Sequence, residues 1–169
     1  MTTKRTIAVA AGTVAATLLL GAATVLGQAN FIDRVYPASG CTVWSGPAPS
    51  YFYSGIENHS SSAIWVDCPV VNETGNPNIG YVQVRDRHPS SAVECTFFSA
   101  WGNGSGNITF WATAPQASGG STNRFVSLIF DSIVDPDPSR ASFYYSCTIP
   151  PAYSGRYSAI HSYRLEERE

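Results

Sequence analysis

The sequence predicts an all-β protein, either an antiparallel β-sandwich or a partly open barrel, with about nine strands. Beyond residue 29, apolar and polar residues alternate over short segments, as expected for strands with one buried face. Gly, Pro, Asn, Asp and Ser separate these segments at regular spacing. No helical period in this part of the chain is longer than about two turns. Together these observations favour two packed sheets in a single domain.

The first 29 residues have the pattern of an export signal. Lys4 and Arg5 precede an uncharged run over residues 7–26, and the small residues Gly27 and Ala29 follow it. This pattern predicts a signal helix that is cleaved before Asn30, which leaves a domain over residues 30–169 and a secreted or periplasmic protein. The run is also long enough to be retained as a membrane anchor, although Ala, Gly and Thr dilute its hydrophobicity.

The strands can be placed in chain order from the alternation. It predicts strands over residues 41–44, 51–58, 62–71, 80–88, 92–101, 107–114, 125–132, 141–149 and 157–166. Turns are predicted at residues 46–49, 76–78, 88–91, 102–106, 118–121 and 135–138. Residues in these turns supply a positive φ, fix φ or bond the local backbone. The segments leave no room for a long linker or a second domain.

Four cysteines indicate a domain that disulfides stabilise in an oxidising compartment: Cys41, Cys68, Cys95 and Cys147. Each has the parity of the apolar residues in its segment, which directs it toward the core. Four cysteines allow three pairings. The matching contexts of residues 94–96 and 146–148 favour facing strands, and hence Cys95 with Cys147 and Cys41 with Cys68. No two cysteines are close enough in sequence for a zinc knuckle, and no metal or cofactor is expected.

The charge of the exported chain argues against a nucleic-acid partner. Without Lys4 and Arg5 the chain holds 8 of its 10 basic residues against 12 acidic ones, a net charge of −4. Binding to phosphates needs a clustered positive surface. Contact with a membrane is expected only if the signal is retained.

Catalytic residue types are present, but their spacing does not define a site. His59, His88 and His161 lie on separate segments, so a shared zinc is disfavoured. No Gly-x-Ser-x-Gly sequence marks a serine nucleophile. The sequence therefore favours a protein that is not an enzyme. A secreted hydrolase with a histidine and an acid in a cleft is one alternative, and a purely structural envelope or extracellular protein is another.

Aromatic residues predict a binding surface. Rings that are exposed on a sandwich can stack on the apolar faces of sugars. The candidate platform for carbohydrate or a cell-surface polymer consists of Trp44, Tyr51, Tyr53, Trp65 and Trp111. Its tyrosines share a strand face, and its tryptophans, like Tyr144, have the parity opposite the cysteines or the main apolar face. In the alternative, loops bury both faces of these strands.

Several short sequences resemble a group of small exported bacterial proteins of unknown function. They lie at residues 53–58, 66–70, 84–87, 147–155 and 162–164. Proteins of this group share an export signal, four cysteines and a β-rich body. The resemblance covers most of the exported chain and implies the fold, but it implies no activity and no site residue.

Overall fold

The structure, a computed structural model, is an antiparallel β-sandwich, as the sequence predicts. It describes residues 31–72, 77–102, 104–120, 124–133, 135 and 138–168. The expected signal helix and its cleavage point lie outside the described residues. The strands form two six-stranded sheets that do not close into a barrel. The described part of the chain contains no helix with the length and hydrophobicity of a membrane span.

The described residues form twelve strands and two short 3-10 helices. The strands are β1 (Phe31–Pro37), β2 (Thr42–Ser45), β3 (Ser50–Phe52), β4 (Gly55–Glu57), β5 (Ile64–Val70), β6 (Pro77–Arg85), β7 (Glu94–Gly102), β8 (Ile108–Ala112), β9 (Gln116–Ala117), β10 (Val126–Phe130), β11 (Ser142–Ile149) and β12 (Ala159–Arg168). The 3-10 helices are Ala38–Gly40 and Pro138–Arg140. The structure has more strands than the nine predicted, because the alternation of apolar and polar residues predicts neither β1 nor β9. A two-residue turn, Tyr53 and Ser54, also divides the segment 51–58 into β3 and β4.

Each sheet is built around one central strand. Sheet A has the order β10, β6, β12, β4, β3, and β1 also pairs with β12. Sheet B has the order β2, β5, β11, β7, β8, and β9 also pairs with β7. One edge of β12 pairs with β6, while β1 and β4 share its other edge. The first and last described strands are therefore neighbours in sheet A.

Alternate residues of both sheets fill one core, and all four cysteines lie in it. Two disulfides join Cys41 to Cys68 and Cys95 to Cys147, which are the pairs that the local sequence contexts favour. Cys147 of β11 lies directly opposite Cys95 of β7, and Cys41 precedes β2, which pairs with the strand of Cys68. Both disulfides thus connect neighbouring strands of sheet B, and neither connects sheet B to sheet A.

Tyr145 of β11 links the two sheets across the core. Its side chain is fully buried, and its hydroxyl donates to the carbonyl oxygen of Arg164 in β12 at 2.8 Å. Its ring packs on those of Phe97 and Phe130, with centroids 4.7 and 5.4 Å away. Gly80 of β6 leaves the space for the phenol, because a Cβ at that position would lie 3.1 Å from two of its ring carbons and closer still to its oxygen. Burial raises the pKa of Tyr145 well above its ordinary value, so this phenol stays neutral.

Two buried polar side chains close one end of the sandwich. The amide of Asn58, after β4, donates to the carbonyl oxygens of residues 149 and 150 at 3.1 and 3.0 Å. The carboxylate of Asp86, after β6, accepts from the hydroxyls of Ser118 at 2.6 Å and Ser158 at 3.1 Å. Ser158 also accepts, through its carbonyl, from the N–H of Asn58 at 3.2 Å. These bonds tie the end of sheet A to sheet B without a disulfide.

Candidate functional site

Two aromatic residues of the candidate platform are in contact on the outer face of sheet B. The rings of Trp44 in β2 and Trp65 in β5 have centroids 6.2 Å apart and planes inclined by 46°. Their exposed fractions are 59% and 36%. The register shifts between Val43 and Ser45, which leaves Trp44 as the extra residue of a bulge opposite Trp65. Thr42 pairs with Asp67, and Trp44 and Trp65 each lie two residues from that pair, so alternation along both strands directs the two indoles to the same outer face.

A polar row crosses the same face two residues along β5 from Trp65. In register across β2, β5, β11 and β7 lie Thr42, Asp67, Ser146 and Thr96. The Oδ1 atom of Asp67 is buried and has no hydrogen-bond partner among the described residues. The row therefore offers hydroxyls that donate or accept, together with a carboxylate that accepts.

A second pair of rings lies beyond the polar row. Phe98 of β7 and Tyr144 of β11 face each other, with centroids 5.3 Å apart and planes inclined by 13°. Burial, and to a smaller degree the carboxylate of Asp67, raise the pKa of Tyr144, so its phenol is neutral. Side chains two residues apart on one face of a strand are separated by about 6.7 Å. The two aromatic pairs therefore lie on opposite sides of the polar row, about 13 Å from each other along the strands. We call this surface the aromatic face, and it consists of Trp44, Trp65, Asp67, Ser146, Phe98 and Tyr144.

The other three residues of the candidate platform lie elsewhere. Trp111, in the edge strand β8, is opposite the buried Ser99 and so has the inward parity of sheet B, unlike the parity expected from the sequence. Tyr51, in the edge strand β3 of sheet A, is opposite the buried Ile56. Tyr53 is fully exposed in the turn after β3, with a φ of 36°, so it does not share a strand face with Tyr51. The predicted platform is thus divided among three places.

The three histidines have separate partners. Nε2 of His59 lies 2.9 Å from the carboxylate of Glu57. Nδ1 of His88 accepts from the backbone N–H groups of residues 90 and 91. Nε2 of His161 lies 3.1 Å from the hydroxyl of Ser54. Within the described ranges, no group of three His, Cys, Asp or Glu side chains is placed to hold a metal ion.

Two of these contacts bear on the hydrolase alternative. Glu57 already accepts from the guanidinium of Arg85, so His59 shares this carboxylate with a cation. Nδ1 of His161 is buried with no hydrogen-bond partner in the described part of the chain. A Ser-His-Asp triad needs a carboxylate at that atom to orient the imidazole. Neither contact therefore assembles a catalytic site from the described residues.

A groove that the sequence does not predict lies on the outer face of sheet A. The groove has a volume of about 390 Å³, and four strands line it, among whose residues are Tyr81, Gln83, Ile129 and Arg164. These residues alternate with core residues in their strands, which is the only sequence signal they give. Their proximity depends on the pairing of β6 with β10 and β12, which are far apart in sequence.

Comparisons with known proteins do not assign the chain to a family. No family model and no curated protein sequence matches it. Among solved structures, it is similar to a low-affinity xylan-binding module, CBM86, from Roseburia intestinalis, with 15% identity, 82% of this chain and 96% of that chain covered, and a TM-score of 0.46. The CBM36-1 domain of a multidomain xylanase from the hindgut metagenome of Trinervitermes trinervoides gives 9% identity, coverages of 80% and 97%, and a TM-score of 0.47. A xylan-binding module, CBM15, gives 11% identity, coverages of 82% and 96%, and a TM-score of 0.48. Values this low carry no weight for the function of this chain.

Proposed function

We propose that this protein is a carbohydrate-binding β-sandwich that acts outside the cytosol and binds through its aromatic face. The observation that carries the proposal is the contact between Trp44 and Trp65, two large side chains that are both substantially exposed. Tryptophan is highly buried on average. An exposed apolar cluster with a polar rim is typical of an interaction surface.

The chemistry of the aromatic face suits a sugar chain. Indole and phenyl rings stack on the apolar C–H faces of sugar rings, while the hydroxyls around those rings need hydrogen-bond partners. Asp67 and Ser146 lie between the two aromatic pairs and supply such partners.

The charge of the face favours an uncharged polymer. Glu94 lies in the row of Trp65, with Thr148 between them, and Asp67 lies in the next row. These two carboxylates would repel a phosphate or uronate chain. Nucleic acid is disfavoured for the same reason.

The two disulfides support a site of action outside the cytosol. Such bonds persist in oxidising compartments and are rare where thiols are kept reduced. Soluble and cell-wall polysaccharides are found in those compartments. The proposed ligand and the proposed location therefore agree.

Depletion binding to insoluble cellulose, xylan, chitin and mannan tests the proposal. We expect the protein to bind at least one of them, and the Trp65→Ala and Trp44→Ala variants to lose about tenfold or more in affinity, as truncation of a central aromatic residue does. Trp111→Ala is the matched control, because Trp111 is 43% exposed but lies at the other edge of the sheet. Thermal melts should show all three variants folded.

Two results would contradict the proposal. The first is a protein that binds none of the four polymers. The second is that Trp111→Ala weakens binding as much as Trp65→Ala does. Nonspecific adsorption through any exposed aromatic residue would then explain both losses.

A further inference from the structure

The groove on sheet A is built from two neighbouring rows of side chains on the outer face. One row crosses four strands in register and contains Val35, Arg164, Tyr81 and Ile129. The next row contains Pro37, Ser162, Gln83 and Ser127. The space over them, about 390 Å³, is within the range of small-ligand sites in proteins.

The first row supplies apolar surface at fixed positions. Val35 and Ile129, at its two ends, have exposed fractions of 65% and 55%. Between them, the guanidinium carbon of Arg164 lies 4.0 Å from the ring centroid of Tyr81, which holds that ring in place. Apolar groups at both ends of a row suit a ligand that presents its own apolar faces.

The second row supplies hydrogen-bonding groups. The hydroxyl of Ser162 donates to the side-chain oxygen of Gln83 at 3.4 Å, and Ser127 adds a second hydroxyl at the edge. An acyl chain would cover this amide and these hydroxyls without giving them hydrogen-bond partners. A ligand rich in hydroxyls would supply the partners.

The charge at the groove excludes an anionic ligand. The guanidinium of Arg164 donates to the carboxylates of Asp33 at 3.2 Å and Glu166 at 2.7 Å, so two acids face one cation. Further along β6, Arg85 is paired with Glu57. Both guanidiniums on this part of the face are thus already compensated, and a carboxylate on the ligand would meet the acids.

The backbone under the groove is not open to a peptide strand. The groove lies over β6 and β12, and each of these strands is paired on both edges. Strand addition needs an unpaired edge, so a peptide could not add to the sheet here.

We propose that this groove is a second carbohydrate site, which takes a single uncharged sugar chain. Tyr81 and Ile129 would pack on the sugar faces, while Gln83, Ser127 and Ser162 would bond its hydroxyls. This inference rests on the proposed function, from which it takes the class of ligand. It adds a second surface and the requirement that the ligand carries no charge. Sites on both sheets would let one molecule contact two polymer chains, and the gain in avidity requires no further contacts.

Calorimetric titration with soluble hexasaccharides tests this site apart from the aromatic face. The uncharged probes are the hexamers of glucose, xylose, mannose and N-acetylglucosamine in β-1,4 linkage, and the charged probe is hexagalacturonate. We expect at least one uncharged probe to bind to the Trp65→Ala variant through the groove, and the addition of Gln83→Leu to weaken this binding about tenfold, because leucine lacks the amide. Gln116→Leu, on β9 in sheet B, is the matched control and should bind as the wild type does.

The outcomes separate this site from the proposed function. Residual binding of the uncharged hexamer to Trp65→Ala, abolished when Gln83→Leu is added, supports a second site. Equal binding to Trp65→Ala and to the Trp65→Ala, Gln83→Leu double variant, or no binding to Trp65→Ala where the wild type binds, would overturn the groove and leave the aromatic face intact. Tighter binding of hexagalacturonate would overturn the charge requirement. A wild type that binds neither the hexamers nor insoluble polymers would refute both proposals.

Discussion

Replacing Gly80 by alanine should reduce the free energy of unfolding by about 3 kcal/mol, because the new methyl group would displace Tyr145 from its place between the sheets. The added Cβ would lie 3.1 Å from Cε1 and Cζ of the phenol and closer still to its oxygen. Tyr145 is fully buried and cannot move without repacking the core. Overpacking of this kind costs about 1–3 kcal/mol, and losing the bond to the carbonyl of Arg164 adds about 0.5–1.5 kcal/mol.

Urea denaturation and thermal melts measure this change directly. In a domain of this size, about 3 kcal/mol corresponds to a decrease in Tm of about 6–12 °C. Gly102→Ala is the matched control, because Gly102 also lies in a strand and a Cβ there would meet nothing within 4 Å. We expect Gly102→Ala to leave Tm unchanged or to raise it slightly, since alanine restricts the unfolded chain more than glycine does.

A double-mutant cycle with Tyr145→Phe identifies the cause. Tyr145→Phe removes the hydroxyl that the new methyl group would strike, so its combination with Gly80→Ala should be at least about 1 kcal/mol more stable than the two single losses added together. Additive losses would show that the methyl group destabilises β6 for another reason. A Gly80→Ala variant as stable as the wild type would refute the close approach itself.

Three further changes test other parts of the fold. Asn58→Ala should cost about 3 kcal/mol in urea unfolding, because several buried carbonyls lose their donor, and a loss below about 1 kcal/mol would contradict the role of this end of the sandwich. Replacing Cys95 and Cys147 together by serine should cost about 4 kcal/mol, the chain-entropy value for a loop with a sequence separation of 52, and an unchanged Tm would count against it. Burial raises the pKa of Tyr163 to about 12 and that of Tyr145 further, so the folded protein keeps protons that the unfolded chain begins to release near pH 10. Stability is therefore full below about pH 10 and should fall above it by up to about 1.4 kcal/mol per pH unit for each phenol, whereas a flat profile from pH 9 to 11.5 would disprove this linkage.

The sequence predicts the fold class because burial of one sheet face imposes a period of two on every central strand. In β5, β7 and β11 the apolar parity identifies the inward residues, Cys68, Cys95 and Cys147 among them. β1 escapes prediction because it is not a central strand and carries charges at residues 33 and 34. The division of the segment 51–58 escapes it because Tyr53, and not glycine, takes the positive φ of the turn.

The candidate site was predictable only within single strands. Parity indicates that Trp65 and Tyr144 are directed away from the core, but only register places Asp67 opposite Ser146 between the aromatic pairs. Trp111 shows where alternation fails to identify the inward face. In a strand that is exposed on both faces, as β8 is, alternation does not report which face is inward, and the pairing with Ser99 decides it.

The indole N–H signals of the four tryptophans provide the most direct test of carbohydrate binding through the aromatic face. In a ¹⁵N–¹H correlation spectrum of the labelled protein, titration with a soluble fragment of the bound polymer should shift the signals of Trp44 and Trp65. The signals of Trp111, at the opposite edge, and of Trp101, whose Nε1 is buried, should stay in place. Shifts confined to Trp111, or no shift in any indole at saturating ligand, would contradict binding at this face.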